Sequence, residues 1–333
     1  MSAGPRVLVA PDSFKGTFTA SQVAEAIGRG VESGGGRAVL APVADGGEGT
    51  LDVLLRALGG KLRSVDAHDP LGRAVEAAYG ITGDGTAIVE MARASGLGLV
   101  AAGERDAEAA STRGTGELVA AAVAGGAREV VVTVGGSATT DGGAGAVAAI
   151  EAAGGLRGAR LLVLCDVATP FEHAAEVYGP QKGADPATVE RLTARLHALA
   201  TRYERDPRGV PMTGAAGGLA GGLWAALGAE LVPGADWVLD ALGFDALLAE
   251  ADAVVAGEGR LDRQTFEGKI VGRVAERCRR AAKPLHAVVG ACALADEQVA
   301  ALGLASVQEA PDAAAMIAAG RAIAHETRDR TVR

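Results

Sequence analysis

Serine, lysine and acidic side chains stand in glycine-containing segments that follow short apolar runs of this chain. The first such segment, residues 11–16 (PDSFKG), contains Ser13 and Lys15 and precedes a predicted helix. A lysine beside a helix N-terminus supplies a point charge for phosphate, where free backbone N–H groups also favour an anion. The alternative for Lys15 is a solvated loop position without a ligand.

The second segment, residues 44–49 (ADGGEG), combines two acids with closely spaced glycines. Gly46 and Gly47 indicate close approach of the backbone to another group, since a helix cap alone does not require them. Asp45 and Glu48 are candidate metal ligands, and Asp45 is also a candidate base. The alternative is that Asp45 only caps the helix that follows.

The densest segment is residues 135–145 (GGSATTDGGAG), which holds five glycines, three hydroxyls and one acid. It follows an apolar run and precedes an alanine-rich helical pattern, an arrangement typical of an anion-binding nest at a helix N-terminus. The predicted ligand-binding residues here are Gly135, Gly136, Ser137, Thr139 and Asp141.

Residues 111–116 (STRGTG) form a further candidate site, in which Ser111, Arg113, Gly114 and Thr115 combine hydroxyls, backbone amides and a guanidinium. Such a set can hold a carboxylate or a phosphate. The alternative is a helix cap at Thr115 with a surface arginine.

Other candidates stand singly at predicted strand ends or helix starts. Asp166 is a candidate base or metal ligand, with a cap as the alternative, and Glu258 is a candidate metal ligand. Arg260 could clamp a charged substrate, and Gly257 and Lys182 are further candidate binding residues.

The absence of other motifs narrows the chemistry. The sequence contains no G-x-x-x-x-G-K-[ST], no G-x-G-x-x-G after a strand, no G-x-S-x-G and no H-x-x-x-H. Carboxylates, lysines, arginines and amide-rich loops remain, and these are the groups that phosphoryl transfer uses.

Composition excludes several classes of protein. Over 333 residues the net charge is −9 and aromatic residues make up 3%, which disfavours binding to nucleic acid. Three widely spaced cysteines indicate neither a disulfide framework nor a zinc cage. No convincing signal peptide or membrane span is found, so we expect a reduced, cytoplasmic protein that does not bind membranes.

Apolar β-rich runs alternate with alanine-rich helical patterns, which predicts an α/β fold with parallel strands. Short alternating runs within residues 63–95 favour antiparallel strands instead. We therefore expect two α/β domains. Residues 1–62 and 247–333 would form a Rossmann- or flavodoxin-like domain with a parallel sheet, and residues 63–246 would form an inserted domain with a mixed sheet.

Seven segments together resemble the bacterial glycerate kinases of the first type, in the order in which that family carries them. They are residues 9–16 (VAPDSFKG), 43–49 (VADGGEG), 111–116 (STRGTG), 135–145 (GGSATTDGGAG), 179–184 (GPQKGA), 214–218 (GAAGG) and 257–262 (GEGRLD).

The resemblance implies ATP-dependent phosphorylation of D-glycerate with Mg²⁺, in a cleft between two domains. The expected product is 2-phosphoglycerate, with 3-phosphoglycerate left open, and a homodimer is one assembly that the sequence also leaves open. We expect Lys15, Asp45 and Asp166 as catalytic residues, and Asp45, Glu48 and Glu258 as the metal ligands.

The sequence departs from the family pattern in two places. A stretch that members usually carry before Asp166 is largely missing near residues 154–157, and the segment after Asp166 is shortened. The alternatives are therefore a relative that binds ligands without turnover, or a kinase for a related small hydroxy acid.

Overall fold

The computed structural model describes residues 4–267 and 269–331 and has an α/β fold with two β-sheets. Its strands are β1 (Arg6–Pro11), β2 (Arg37–Leu40), β3 (Gly60–His68), β4 (Ala74–Thr82), β5 (Thr86–Glu90), β6 (Glu129–Thr133), β7 (Arg160–Cys165), β8 (Glu230–Pro233), β9 (Ala253–Leu261), β10 (Leu285–Cys292) and β11 (Ser306–Glu309).

The α-helices are α1 (Ala20–Ser33), α2 (Thr50–Leu58), α3 (Ala92–Ser95), α4 (Arg113–Ala124), α5 (Ala144–Ala152), α6 (Ala174–Tyr178), α7 (Pro186–Ala200), α8 (Leu219–Leu227), α9 (Gly234–Ala241), α10 (Phe244–Ala249), α11 (Ile270–Arg280), α12 (Asp296–Ala301) and α13 (Ala313–Thr331). Short 3₁₀ helices occur at Leu97–Leu99, Ala102–Glu104, Phe171–His173, Pro180–Lys182 and Arg263–Glu267. In the parts of the chain that the structure describes, no helix is both long and apolar enough to span a membrane.

The described residues up to Asp45 and from Ala235 onward form one compact unit, called unit 1. Its sheet is entirely parallel, in the order β11-β10-β9-β1-β2. Helices α1 and α13 pack on one face, and α9, α10 and α11 pack on the other. Because both faces are covered, β1 is a continuous apolar run that is fully buried from Val7 to Ala10.

Local sequence signals explain where the first helix of unit 1 begins. The Thr19 hydroxyl accepts a hydrogen bond from the Gln22 backbone N–H, and the Gln22 side chain accepts one from the Thr19 N–H. This reciprocal capping box satisfies two backbone donors that the helix leaves without partners. It fixes the end of the segment that carries Lys15.

Residues from Gly46 to Gly234 form a second compact unit, called unit 2. Its sheet is mixed, in the order β3-β4-β5-β6-β7-β8: β3, β4 and β5 pair antiparallel, while β5 through β8 pair parallel. The antiparallel strands lie where the sequence predicted them. Unit 2 has its own apolar core, to which β6, β7, α4, α5 and α8 contribute.

The two compact units divide at residues 45/46 and 234/235, whereas the sequence predicted boundaries at 62 and 247. Helix α2 belongs to unit 2 because it packs on β4 and β5, with Leu51 and Leu55 over Gly80. Helix α9 places Ala235 and Leu239 in a core of unit 1. Neither contact leaves a signal in local composition.

Strand β9 is longer than the sequence predicted. Glu258 was expected at a strand end, yet the strand continues to Leu261 because Arg260 and Leu261 still pair with Ala291 and Cys292 of β10. The glycine at 257 is required inside the sheet, since a Cβ atom there would lie 2.4 Å from the Val288 carbonyl oxygen. Gly257 therefore permits strand packing.

Candidate active site

The carboxyl ends of β1 and β9 lie side by side in unit 1, and the Asp12 N–H donates a 2.8 Å hydrogen bond to the Gly257 carbonyl oxygen. From β1 the chain continues to β2 on one side, while β9, β10 and β11 lie on the other. The order of the strands therefore reverses between β1 and β9. At such a topological switch point, open α/β sheets have a crevice outside the strand ends, and ligands bind there.

A cavity of about 440 Å³ occupies this position in unit 1, which is a size suited to a small-molecule ligand. Its lining is rich in both acids and bases. The charged lining residues are Asp12, Lys15, Asp45, Glu258, Arg260, Asp262 and Lys269. The structure thus brings five of the predicted site residues together: Ser13, Lys15, Asp45, Glu258 and Arg260.

Asp12 is the functional candidate that the sequence analysis missed. Its side chain is only 6% exposed, and Oδ1 accepts a 2.6 Å hydrogen bond from the Ser13 N–H. Burial, and next the nearby charge of Asp45, raise the pKa of Asp12 to about 8. The signal in the sequence is an acid directly after the first buried strand.

Glu258 is the second buried acid of the cavity. Its Oε1 accepts a 2.8 Å hydrogen bond from the Thr265 hydroxyl, and burial raises the pKa of Glu258 to about 7. The charges of Asp262 and Asp45 raise this pKa further, while Lys269 opposes them. The cavity therefore holds carboxylates that repel one another. A bound cation would reduce this repulsion.

Within residues 4–267 and 269–331, no three histidine, cysteine or acidic side chains are grouped closely enough to hold a metal ion by themselves. Mg²⁺ is commonly held by one or two carboxylates together with substrate phosphates, so this finding is compatible with it. The hard oxygen donors Asp12, Asp45 and Glu258 suit that mode of binding. Glu48, the other predicted metal ligand, is an exposed residue of unit 2.

In unit 2, the loop after β6 lies against the segment that begins at Gly46. A Cβ atom on Gly135 would lie 2.4 Å from the Gly47 Cα atom, so the two backbones touch. A Cβ atom on Gly46 would lie 3.2 Å from a carboxylate oxygen of Asp166. A Cβ atom on Gly136 would lie 3.6 Å from a carboxylate oxygen of Glu48. These glycines allow two loops to pack together and bring both carboxylates to the loop cluster.

Glu90, at the end of β5, anchors one of these loops. Its Oε2 accepts hydrogen bonds from the Gly49 N–H at 3.1 Å and the Leu51 N–H at 3.2 Å, at the beginning of α2. The side chain is 3% exposed, and burial raises its pKa. Helix α2 starts at a glycine that offers no capping side chain, so Glu90 supplies the missing acceptor from another strand.

Asp141 joins the start of α4 to the start of α5. Its carboxylate accepts hydrogen bonds from the Thr112 N–H at 2.8 Å, the Gly143 N–H at 3.0 Å and the Gly145 N–H at 3.2 Å, and from hydroxyls of Thr112 and Ser111. The residue is almost fully buried. This geometry favours a role in holding the two loops over direct contact with a ligand.

Several other predicted binding residues also have internal contacts. Thr115 is fully buried and its hydroxyl bonds to Ser95 at 2.7 Å, while a Cβ atom on Gly114 would lie 2.0 Å from the His68 carbonyl oxygen. Lys182 is buried, and its Nζ donates a 2.6 Å hydrogen bond to the Thr139 carbonyl oxygen.

Three other predicted residues are exposed, whereas Thr139 is fully buried. Arg113 is exposed on α4 and pairs with Glu117 at 2.8 Å, Arg260 is exposed on β9, and Lys15 is exposed after β1. Ser137 is half-buried and pairs with Gly96 in an isolated bridge.

Comparison with known proteins identifies the family. The model of the glycerate kinase family matches residues 7–156 and 151–331. The two matched segments meet at the point where the sequence was expected to lack a stretch. There α5 and β7 are joined only by the short connection 153–159, in which Gly154, Gly155, Arg157 and Gly158 have positive φ angles.

Named relatives cover most of the chain. A glycerate kinase of Halalkalibacterium halodurans is 39% identical over 324 residues, which cover 85% of each chain. The glycerate 2-kinase of Escherichia coli K12 is 38% identical over 323 residues, covering 86% of this chain and 85% of the relative.

A solved structure is similar over almost the whole length. The crystal structure of a protein from Salmonella typhimurium LT2, proposed to be glycerate kinase 2, matches with a TM-score of 0.82 and 34% identity, covering 99% of this chain and 98% of that one. The chain therefore belongs to the glycerate kinase family, as the seven segments indicated, and is a kinase.

Proposed function

We propose that the protein transfers the γ-phosphoryl group of ATP to the 2-hydroxyl of D-glycerate, with Mg²⁺, giving 2-phosphoglycerate and ADP. The observation that carries this proposal is the cavity of unit 1, which combines buried carboxylates with lysine and arginine at a switch point. The 2-kinase name of the E. coli relative supports position 2.

The reaction forms a bond between the glycerate hydroxyl oxygen and the γ-phosphorus, and breaks the bond from that phosphorus to the bridging oxygen of ADP. The hydroxyl proton passes to a carboxylate, for which Asp45 and Asp166 are our candidates. Lys15 would neutralise charge on the transferred group. Arg113 or Arg260 would bind the glycerate carboxylate.

The residues that would hold Mg²⁺ in unit 1 are Asp45 and Glu258, with the buried Asp12 beside them. When bound, the ion neutralises charge on the β- and γ-phosphate oxygens. Glu48 remains a candidate from unit 2. Residues Gly46, Gly135, Gly136 and Ser137 would offer backbone and hydroxyl groups to the substrates, a role that stays a proposal.

The test is a steady-state assay of ADP release with ATP, Mg²⁺ and D-glycerate. If Asp45 is the proton acceptor, Asp45→Asn lowers kcat by about 10²- to 10⁴-fold. Lys15→Ala lowers kcat/KM for ATP at least about tenfold, since a charged hydrogen bond contributes about 1.5–3 kcal/mol. Lys61→Ala, an exposed lysine on β3, is the control and leaves both constants unchanged. Unchanged turnover in both test variants would remove these roles.

A kinase for a related small hydroxy acid is the second candidate, favoured by the short connection between α5 and β7. A panel of two- to four-carbon hydroxy acids distinguishes the two. A kcat/KM at least tenfold higher for another acid would replace D-glycerate as the substrate.

A further inference from the structure

We propose that the cavity of unit 1 is the site for the Mg²⁺-bound polyphosphate of the nucleotide, and that the metal binds there only together with polyphosphate. This rests on the proposed function, which leaves open which unit takes which substrate. The new assignment is Lys269, on the side of the phosphates, opposite Asp12 on the side of the metal.

The cavity pairs opposite charges. Acids alone would repel both ATP and glycerate, and bases alone would suit either anion. Here the buried acids Asp12 and Glu258 are accompanied by the bases Lys15, Arg260 and Lys269. A magnesium–polyphosphate complex needs both kinds of group, whereas the single carboxylate of glycerate needs only the bases.

The three bases reach the cavity from separate elements of unit 1. Lys15 follows β1, Arg260 lies on β9 and Lys269 directly precedes α11, so three separate elements contribute a cation to the same cavity. Helix α11 begins at Ile270, which also lines the cavity, and a helix N-terminus favours phosphate. Several cations on different elements suit a ligand with several phosphate groups.

Three carboxylates of the cavity can supply only part of the ligand set of a metal ion. Asp12, Asp45 and Glu258 share the cavity, but among the described residues no three acidic, histidine or cysteine side chains are grouped closely enough to hold a metal ion. Mg²⁺ keeps several waters and usually reaches protein sites through one or two carboxylates plus phosphates. In that mode of binding, phosphate oxygens would complete the ligand set that the carboxylates begin.

The experiment uses inorganic tripolyphosphate, which has neither the base nor the ribose, and measures its binding to the full chain by calorimetry. We expect it to bind with Mg²⁺ and to compete with ATP. Lys15→Ala and Lys269→Ala should each weaken binding at least about tenfold. Asp12→Asn should weaken binding with Mg²⁺ more than binding without it. Lys61→Ala, with its lysine on β3 of unit 2, should have no effect.

Circular dichroism shows whether each variant is folded, and Lys15→Gln and Lys269→Gln replace any alanine variant that is not. Undiminished tripolyphosphate binding in both lysine variants would overturn the assignment, as would ATP binding that tripolyphosphate does not displace. Saturable binding of Mg²⁺ alone at micromolar concentration would overturn the joint binding of metal and phosphate. Failure of the proposed function is distinguishable, since it would leave tripolyphosphate binding intact while glycerate stays unphosphorylated.

Discussion

Lys182 shows how a single residue can depart from what its type suggests. The sequence presents a lysine in a glycine-containing segment, a typical phosphate ligand, but the structure buries it with Nζ on the Thr139 carbonyl oxygen. Burial lowers its pKa from 10.5 to about 7, against the opposing charge of Asp141. The buried Lys182 holds the loop that follows β6 through the Thr139 carbonyl oxygen, so we expect Lys182 to affect the stability of the fold.

The pKa of Lys182 predicts a pH-dependent stability. Between about pH 7 and 10.5 the unfolded chain holds a proton on the Lys182 amine that the folded chain lacks. The contribution of Lys182 to the free energy of unfolding therefore rises with pH between these values and is constant below about pH 7. The free energy of unfolding of the wild type, minus that of Lys182→Met, should rise by up to about 1.4 kcal/mol per pH unit. Urea unfolding from pH 6 to 10 measures it, and parallel curves would contradict it.

At the scale of elements, Glu90 links β5 to the start of α2. Glu90→Ala leaves the N–H groups of Gly49 and Leu51 without their acceptor, which should cost about 1–3 kcal/mol in the free energy of unfolding. Glu90→Gln keeps an oxygen at that position and removes a buried charge, so its stability should stay within about 1 kcal/mol of the wild type.

Kinase activity should follow the same order, because the anchored segment carries Glu48 and packs on the loop after β6. Glu90→Ala should lose most of its kcat while Glu90→Gln keeps it. The control is Glu129→Ala, which breaks only a surface pair with Arg160 and should cost under about 1 kcal/mol. Urea unfolding and the ADP-release assay are the measurements, and equal effects of the alanine and glutamine changes would refute the anchoring role.

Local signals predicted many elements because their causes are local. Neighbouring residues alone account for the capping box of Thr19 and Gln22, the N-cap Asp185 before Pro186, and the apolar runs of β1, β6 and β7. Glu90 could not be predicted in this way, since its partners lie 39 and 41 residues away in the chain. Asp141 was predicted as a ligand from its glycine-rich segment, and its bonds to Thr112, 29 residues away, leave no signal in that segment.

For the whole molecule, the sequence predicted two α/β domains with a parallel and a mixed sheet, and the described sheets have those compositions. The boundaries differed because packing, and not composition, decides which unit contains α2 and α9. Leu51 of α2 packs in unit 2, and Leu239 of α9 packs in unit 1. The charged cavity could be predicted in part: β1 and β9 are more than 240 residues apart, and only the strand order places Asp12 beside Glu258.

The most direct test of the phosphoryl-transfer account is a ³¹P NMR spectrum of the products formed from ATP, Mg²⁺ and D-glycerate. The account predicts one new phosphomonoester resonance, coupled to the proton on carbon 2 of glycerate, that grows in step with ADP. A spectrum that shows only inorganic phosphate and ADP, or no loss of ATP, would contradict it.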